Sequence, residues 1–268
     1  ESRIRSRLQD KEFIEHLRIS APDYRRPTET SNPGISMLSS PELKDKTFSN
    51  FHSRENEIGK TDKIVTISER RDSFGNKIKE KEITNISVTQ ADVDSLKEAA
   101  ESAYTFALDP KGWFVLLGPP YCGKTHLAAA IGNYRLKKGG QAILLDVSDL
   151  LDYLKQTFDD SSGVSFNRRF YEIRNTPFLI LDNLRTGGSA SVWAEDKLDQ
   201  ILSYRYNMHL PTVITSTMRP EEFLLSYPSI WEKILDSQMR QWHVINMPPY
   251  RRAVKIKKPV AAKKSSRT

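Results

Sequence analysis

The chain has 268 residues, enough for one ordinary domain with extensions and for a sizeable buried core. Its single cysteine, Cys122, excludes an internal disulfide, and its five histidines show no metal-ligand spacing. Lysine and arginine number 41 against 34 acidic residues, and no apolar run approaches the length of a membrane span, so a disulfide scaffold and a helical membrane protein are both excluded.

The chain opens on Glu1 rather than Met, which reads as a fragment or a processed product. Residues 1–26 contain a repeat. Ile4 to Arg26 aligns without gaps on Ile230 to Arg252, with seven of 23 positions identical, among them Pro22/Pro248, Tyr24/Tyr250, Arg25/Arg251 and Arg26/Arg252. Residues 27–46 are rich in Pro, Ser and Thr and read as linker. Residues 62–86 read as a charged β-hairpin turning at Ser73–Asn76. Asp92 to Leu108 carries Val93, Leu96, Ala100, Ala103 and Ala107 at helical spacing.

From Gly112 onward strands and helices alternate, the pattern of an α/β sheet. Trp113–Leu117 is a first, fully buried strand. Gly118-Pro119-Pro120-Tyr121-Cys122-Gly123-Lys124-Thr125 follows, then a helix from His126 to about Lys138, closed by Gly139-Gly140. Further strands are expected at Ala142–Asp146, Phe178–Asp182, Thr212–Thr217 and His243–Met247. Helices are expected at Asp149–Phe158, Phe166–Arg174 and Val192–Tyr206, with a polar loop at Asp159–Gly163. The tail from Arg251 to Thr268 holds eight basic residues and no acidic one; 41 less these eight leaves 33 against 34, so the body is near neutral. A neutral body with a basic tail suits binding to phosphate backbones.

The eight-residue stretch from Gly118 to Thr125 matches G-x-x-x-x-G-K-[ST], the phosphate-binding loop. Gly118 and Gly123 let the backbone approach phosphate oxygens, Lys124 supplies a point charge, and the Thr125 hydroxyl is a ligand for Mg²⁺. The strand before it and the helix after it are the context the motif needs, and the helix start adds its positive end. The nucleotide-binding set is therefore Gly118, Pro119, Pro120, Tyr121, Cys122, Gly123, Lys124, Thr125 and His126, with ATP as the ligand. Asp182 ends an apolar strand, where carboxylates of open α/β sheets face the nucleotide, and is the second Mg²⁺ ligand beside Thr125.

Residues 47–250 resemble the helicase-loader and IstB-type branch of AAA+ ATPases, the DnaC-like group. The resemblance is carried by Thr47-Phe48 with Phe51, Gly112-Trp113, Gly123 to Ile131, Asp149-Leu-Leu-Asp152, Phe178 to Asp182, Trp193 to Leu198, Tyr204-Arg-Tyr-Asn207 and Pro211 to Thr215. It implies a P-loop NTPase fold: a three-layer αβα sandwich with a mostly parallel five-stranded sheet ordered 5-1-4-3-2. About fifty residues remain after the fourth strand, too few for a full lid domain. It also implies a cytoplasmic protein, nucleotide at a subunit boundary, and assembly with other AAA+ protomers on single-stranded DNA or a replicative helicase.

Three departures bear on catalysis. The family's second carboxylate, after the strand-ending Asp, is Asn183 here, which orients water but takes no proton. The sensor position after the fourth strand, usually Asn, is Thr217. The arginine finger's Ser-Arg-Leu is Glu232-Lys233-Ile234, while the N-terminal repeat keeps Ser6-Arg7-Leu8, so Arg7 reads as the finger of a preceding related module. The resulting expectation is an ATP-binding protein of DNA replication or transposition whose P-loop ATPase chemistry is weakened. The alternative is a non-hydrolysing ATP-binding interaction module of a tandem AAA+ assembly. A small-molecule kinase also starts from such a loop, but no Arg-rich lid segment is visible.

Overall fold

The computed structural model describes residues 36–71, 77–159, 166–185, 192–236 and 240–250. Thr61–Arg71 (β1) and Lys77–Ser87 (β2) pair antiparallel, from Thr61 opposite Ser87 to Arg71 opposite Lys77. Gln90–Leu108 (α1) follows, started by Thr89: its hydroxyl accepts from the Asp92 amide while Asp92 accepts from the Thr89 amide.

The rest of the chain builds a five-stranded sheet from Trp113–Leu117 (β3), Ile143–Asp146 (β4), Leu179–Leu184 (β5), Thr212–Ser216 (β6) and Arg240–Val244 (β7). The order is β4-β5-β6-β3-β7 and every pairing is parallel. Counted from the phosphate-loop strand this is the expected 5-1-4-3-2. Between the strands lie Lys124–Lys137 (α2), Val147–Asp159 (α3), Phe166–Asn175 (α4), Val192–Asn207 (α5), Pro220–Ser226 (α6) and Pro228–Leu235 (α7).

The period-two rule for strands sorts the core into two layers. Trp113, Val115, Leu117, Ile143, Leu145, Leu179 and Leu181 point to one face, where they meet Leu150 and Leu154 of α3, Ile173 of α4, Leu198 and Ile201 of α5, Phe223 of α6 and Ile230 of α7. Phe114, Leu116, Leu144, Ile180 and Val213 point to the other, against Leu96, Ala103 and Phe106 of α1 and Leu127, Ala128 and Ile131 of α2. Each fully buried Val, Leu, Ile or Phe among them contributes about 1.5–3 kcal/mol of hydrophobic stabilisation. Helices α6 and α7 follow β6 and pack into the first layer, so among the described residues the chain forms no separate lid.

Two stretches differ from expectation. The fifth strand lies three residues early, at Arg240–Val244 instead of His243–Met247. Ile245 and Met247 are fully buried, but as the exit from the ladder over α1, and that burial gave them the look of a strand. The stretch read as linker, 27–46, is described from Ser36 on, and there it packs. Leu38 and Leu43 are buried, the Ser36 hydroxyl accepts from the Leu144 amide on the β4 edge, and Asn133 of α2 donates to the carbonyls of Leu43 and Lys46. The Leu38 side chain sits over Gly132, where an added Cβ would come within 2.9 Å of it. Residues 1–26, the turn at 73–76 and the tail from 251 lie outside the described residues. Among those described, no helix is long and apolar enough to cross a membrane.

Candidate functional site

The loop leaves β3 at Leu117 and re-enters α2 at Lys124, and its backbone is held in unusual conformations. Gly118 has φ +151° and Gly123 has φ +112°. At Gly118 space matters as much as angle: a Cβ there would stand 2.4 Å from the carbonyl oxygen of Ile245, a backbone atom fixed beside β7. Gly118→Ala must therefore shift either the loop or the exit of β7. It is expected to lower stability by about 1–3 kcal/mol, as overpacking does, and to weaken nucleotide binding more than tenfold. Thermal melting and titration with a fluorescent ATP analogue check both.

Tyr121 is also left-handed, at φ +59°, although it carries a side chain. Its carbonyl accepts from the Tyr250 amide at 2.8 Å, so the loop's crown is tied to the last described residue. Arg54 braces the same corner. Its guanidinium donates to the Pro248 carbonyl, pairs with Glu57 at 2.6 Å and lies over the Tyr250 ring at 5.5 Å.

Lys124 begins α2 with its side chain buried. Its Nζ donates to the carbonyls of Gly118 (2.9 Å) and Pro119 (2.7 Å) and reaches the Cys122 sulfur at 3.6 Å. Burial pulls the ammonium below its usual range, opposed by Cys122 and by the charge of Asp182. The Cys122 thiol is pushed up by burial, against the pull of Lys124. His126, one turn into α2, bonds through Nε2 to the Thr47 carbonyl and Asn50 Oδ1, both at 3.0 Å, and meets the edge of the Phe51 ring. Both partners are acceptors, so Nε2 carries the proton. His126 thus fastens the Thr47–Phe51 segment to the start of the phosphate-loop helix.

The Thr125 hydroxyl donates to both oxygens of Asp182, at 2.9 and 3.1 Å, from the C-terminal part of β5. Asp182 is 5% exposed. Burial pushes its carboxyl up, the Thr215 and Thr125 hydroxyls pull it down, and the neighbouring charge of Asp146 pushes it up again. Thr125 and Asp182 are the residues that would hold a Mg²⁺ ion arriving with a nucleotide, through a hydroxyl and a carboxylate oxygen. Among the described residues no group of three or more His, Cys, Asp or Glu is placed to hold a metal ion. The bound ion would neutralise charge between phosphate oxygens.

Asn183 follows Asp182 at φ +63°, where the β5–β6 register shifts. Its amide N–H donates to Thr215 Oγ1 at 2.9 Å and its side-chain Nδ2 to Asp146 Oδ2 at 3.1 Å. Thr217, the expected sensor position, follows β6. The hydroxyl that reaches the carboxylate is Thr215, two residues earlier and still inside β6, at 2.6 Å from Asp182 Oδ1. Thr217 lies just past the strand end, half-buried. Strand alternation was the available signal for Thr215, since a polar residue fully buried in a central strand needs a partner. Lys233 sits on α7, where its ammonium bonds the carbonyl and hydroxyl of Ser229 on the same helix. Arg7 lies outside the described residues.

A parallel sheet with a glycine loop at the end of β3, a lysine at the first helical position and an aspartate across the strand ends defines a P-loop nucleotide-binding protein. The family model described as IstB-like ATP binding protein matches residues 75–257. The replicative helicase loader DnaC of Escherichia coli (strain K12) is 29% identical over 145 residues, 53% of this chain and 57% of that protein. DnaC of Buchnera aphidicola subsp. Baizongia pistaciae (strain Bp) is 35% identical over 71 residues, 26% of this chain and 29% of that protein. Among solved structures, that titled crystal structure of the DnaC helicase loader is 26% identical, covering 57% of this chain and 90% of that one at a TM-score of 0.48. The matches thus span about half the length of the curated relatives or less. The chain belongs to the IstB-like ATP-binding family.

Proposed function

We propose that the chain is an ATP- and Mg²⁺-binding AAA+ module of helicase-loader type. It acts in the cytoplasm on single-stranded DNA or a replicative helicase, and its hydrolysis is slow. The observation that carries this reading is the contrast inside one site. Lys124, Thr125 and Asp182 stand where a Mg²⁺-nucleotide needs them, while the position that follows Asp182 is an amide already engaged by Asp146. Lys233, in the place of the finger, is held by its own helix and lacks the planar fork that arginine presents to phosphate. A finger can be worth about 10³–10⁵ in rate, so turnover well below roughly 1 s⁻¹ is expected. Steady-state ATP turnover with and without single-stranded DNA tests it; a rate ordinary for enzymes without any partner would overturn the slow-site reading.

A second reading is a non-hydrolysing interaction module in a tandem AAA+ assembly. The repeat at residues 1–26 favours it, because Arg7 keeps the finger form that Lys233 has lost. In that arrangement Arg7 serves the nucleotide of a neighbouring module. An effect of Arg7→Ala on nucleotide affinity that Arg5→Ala does not share would support it.

The basic tail, residues 251–268, is expected to give sequence-indifferent nucleic-acid binding. Up to eight phosphate contacts would each add about −0.7 to the log–log salt slope on single strands. Deleting the tail should flatten that slope; an unchanged slope and affinity would leave the tail without this role.

A further inference from the structure

We propose that Asp146, and no residue on β5, supplies the carboxylate that accepts the proton of the attacking water. This rests on the reading of the site as ATP-binding. Asp146 ends β4 in register with Asp182 on β5, so the two carboxylates leave neighbouring strands at the same level. Each oxygen of Asp146 has a donor. Oδ1 takes the Ser148 amide at 2.8 Å, which caps the start of α3, and Oδ2 takes Asn183 Nδ2 at 3.1 Å. Each oxygen keeps a second lone pair.

A cap alone would explain Oδ1, and any Asp, Asn, Ser or Thr would serve there. It does not explain the pair that Oδ2 makes. Asn183 is driven into a left-handed backbone conformation, with its amide N–H fixed on Thr215, and its side chain is left bonded to the carboxylate of the next strand. An amide that donates cannot also act as base, whereas the group it orients can. The carboxylate stands on β4 and the amide on β5, and the pair contains one proton acceptor beside Asp182.

The step balances. A water against Asp146 attacks the γ-phosphorus and forms the new P–O bond as the bond from that phosphorus to the β–γ bridging oxygen breaks. The bridging oxygen leaves with the electron pair on ADP, and the water's proton passes to Asp146. Asn183 is a positioning residue in this scheme.

The test uses the full chain and two variants, Asp146→Asn and the exchange Asp146→Asn with Asn183→Asp. Asparagine caps as well as aspartate, so the first variant keeps α3 and removes the base; its Nδ2 then faces Asn183, whose amide turns to present its oxygen. Its ATP turnover is expected to fall by about 10² or more, the usual worth of a positioned base. Its affinity for a fluorescent ATP analogue should stay within about twofold and its melting temperature should hold. The exchange variant should regain most of the lost rate. Unchanged turnover in Asp146→Asn would overturn the proposal, as would a loss matched by equal loss of analogue affinity or of folding, or an exchange variant as slow as the single one. An unmodified chain that binds the analogue but shows no turnover above background also overturns it and leaves the binding reading standing. Failure to bind the analogue removes both.

Discussion

Lys124→Ala is expected to weaken binding of a fluorescent ATP analogue by about a hundredfold, or roughly 2.7 kcal/mol. The loop places the ammonium where two carbonyls, those of Gly118 and Pro119, already hold it in a buried setting. Those acceptors are neutral. Phosphate oxygens offer the same donor a full charge, and charge-assisted bonds are roughly twice as strong as neutral ones. Folding should change far less than binding. The substitution leaves two carbonyls short of a donor, but it also removes the cost of keeping a cation away from water. The melting temperature without nucleotide is therefore the control. Unaltered affinity in Lys124→Ala would remove the phosphate-loop assignment.

Arg205→Ala is expected to destabilise the fold by about 4 kcal/mol, read as a shift in the urea midpoint. Arg205 is fully buried on α5 and, among the described residues, no carboxylate pairs with it. Its guanidinium donates to Thr212 Oγ1 (2.8 Å) and to the carbonyls of Arg174 (3.1 Å), Thr176 (2.7 Å) and Pro211 (2.7 Å). It thereby joins the end of α4, the loop after it and the entry to β6. Burial pulls its pKa down to about 9, still above neutrality, so the charge is present when those bonds are made. Truncation would strand the carbonyls of Arg174 and Thr176 at about 1–3 kcal/mol each, while that of Pro211 keeps the Leu179 amide, and the loss is offset by the desolvation cost of the cation itself. Lysine should recover only part of the loss, because one ammonium cannot span four acceptors. A midpoint shift below about 1 kcal/mol would show that the cluster is replaceable.

How much of this was legible in the chain depends on the kind of signal. The phosphate loop and Asp182 are local patterns, a spacing and a strand end, and the structure brings Thr125 and Asp182 to 2.9 Å. Arg205 was half-visible. It continues the inward face of Leu198, Ile201 and Leu202 at helical spacing, but a charge on such a face reads as surface until its acceptors are known. The Asp146–Asn183 pair was hidden, because it joins residues 37 positions apart on adjacent strands. Thr215, whose hydroxyl meets Asp182, was not singled out, since a motif fixes a neighbourhood and only strand register fixes the side chain. The Ser36–Lys46 segment looked like linker because its composition is polar; its few apolar residues, Leu38 and Leu43, are what dock it.

The closing contacts of the phosphate loop come from the far end of the chain. Ile245 roofs Gly118, and the Tyr250 amide holds the Tyr121 carbonyl. During synthesis, β3, α2 and Asp182 emerge from the ribosome well before either. A growing chain that stops short of Ile245 lacks both contacts. The loop's final shape therefore depends on β7 and the residues just after it being in place beside β3, so its geometry reports on the docking of a segment more than a hundred residues downstream.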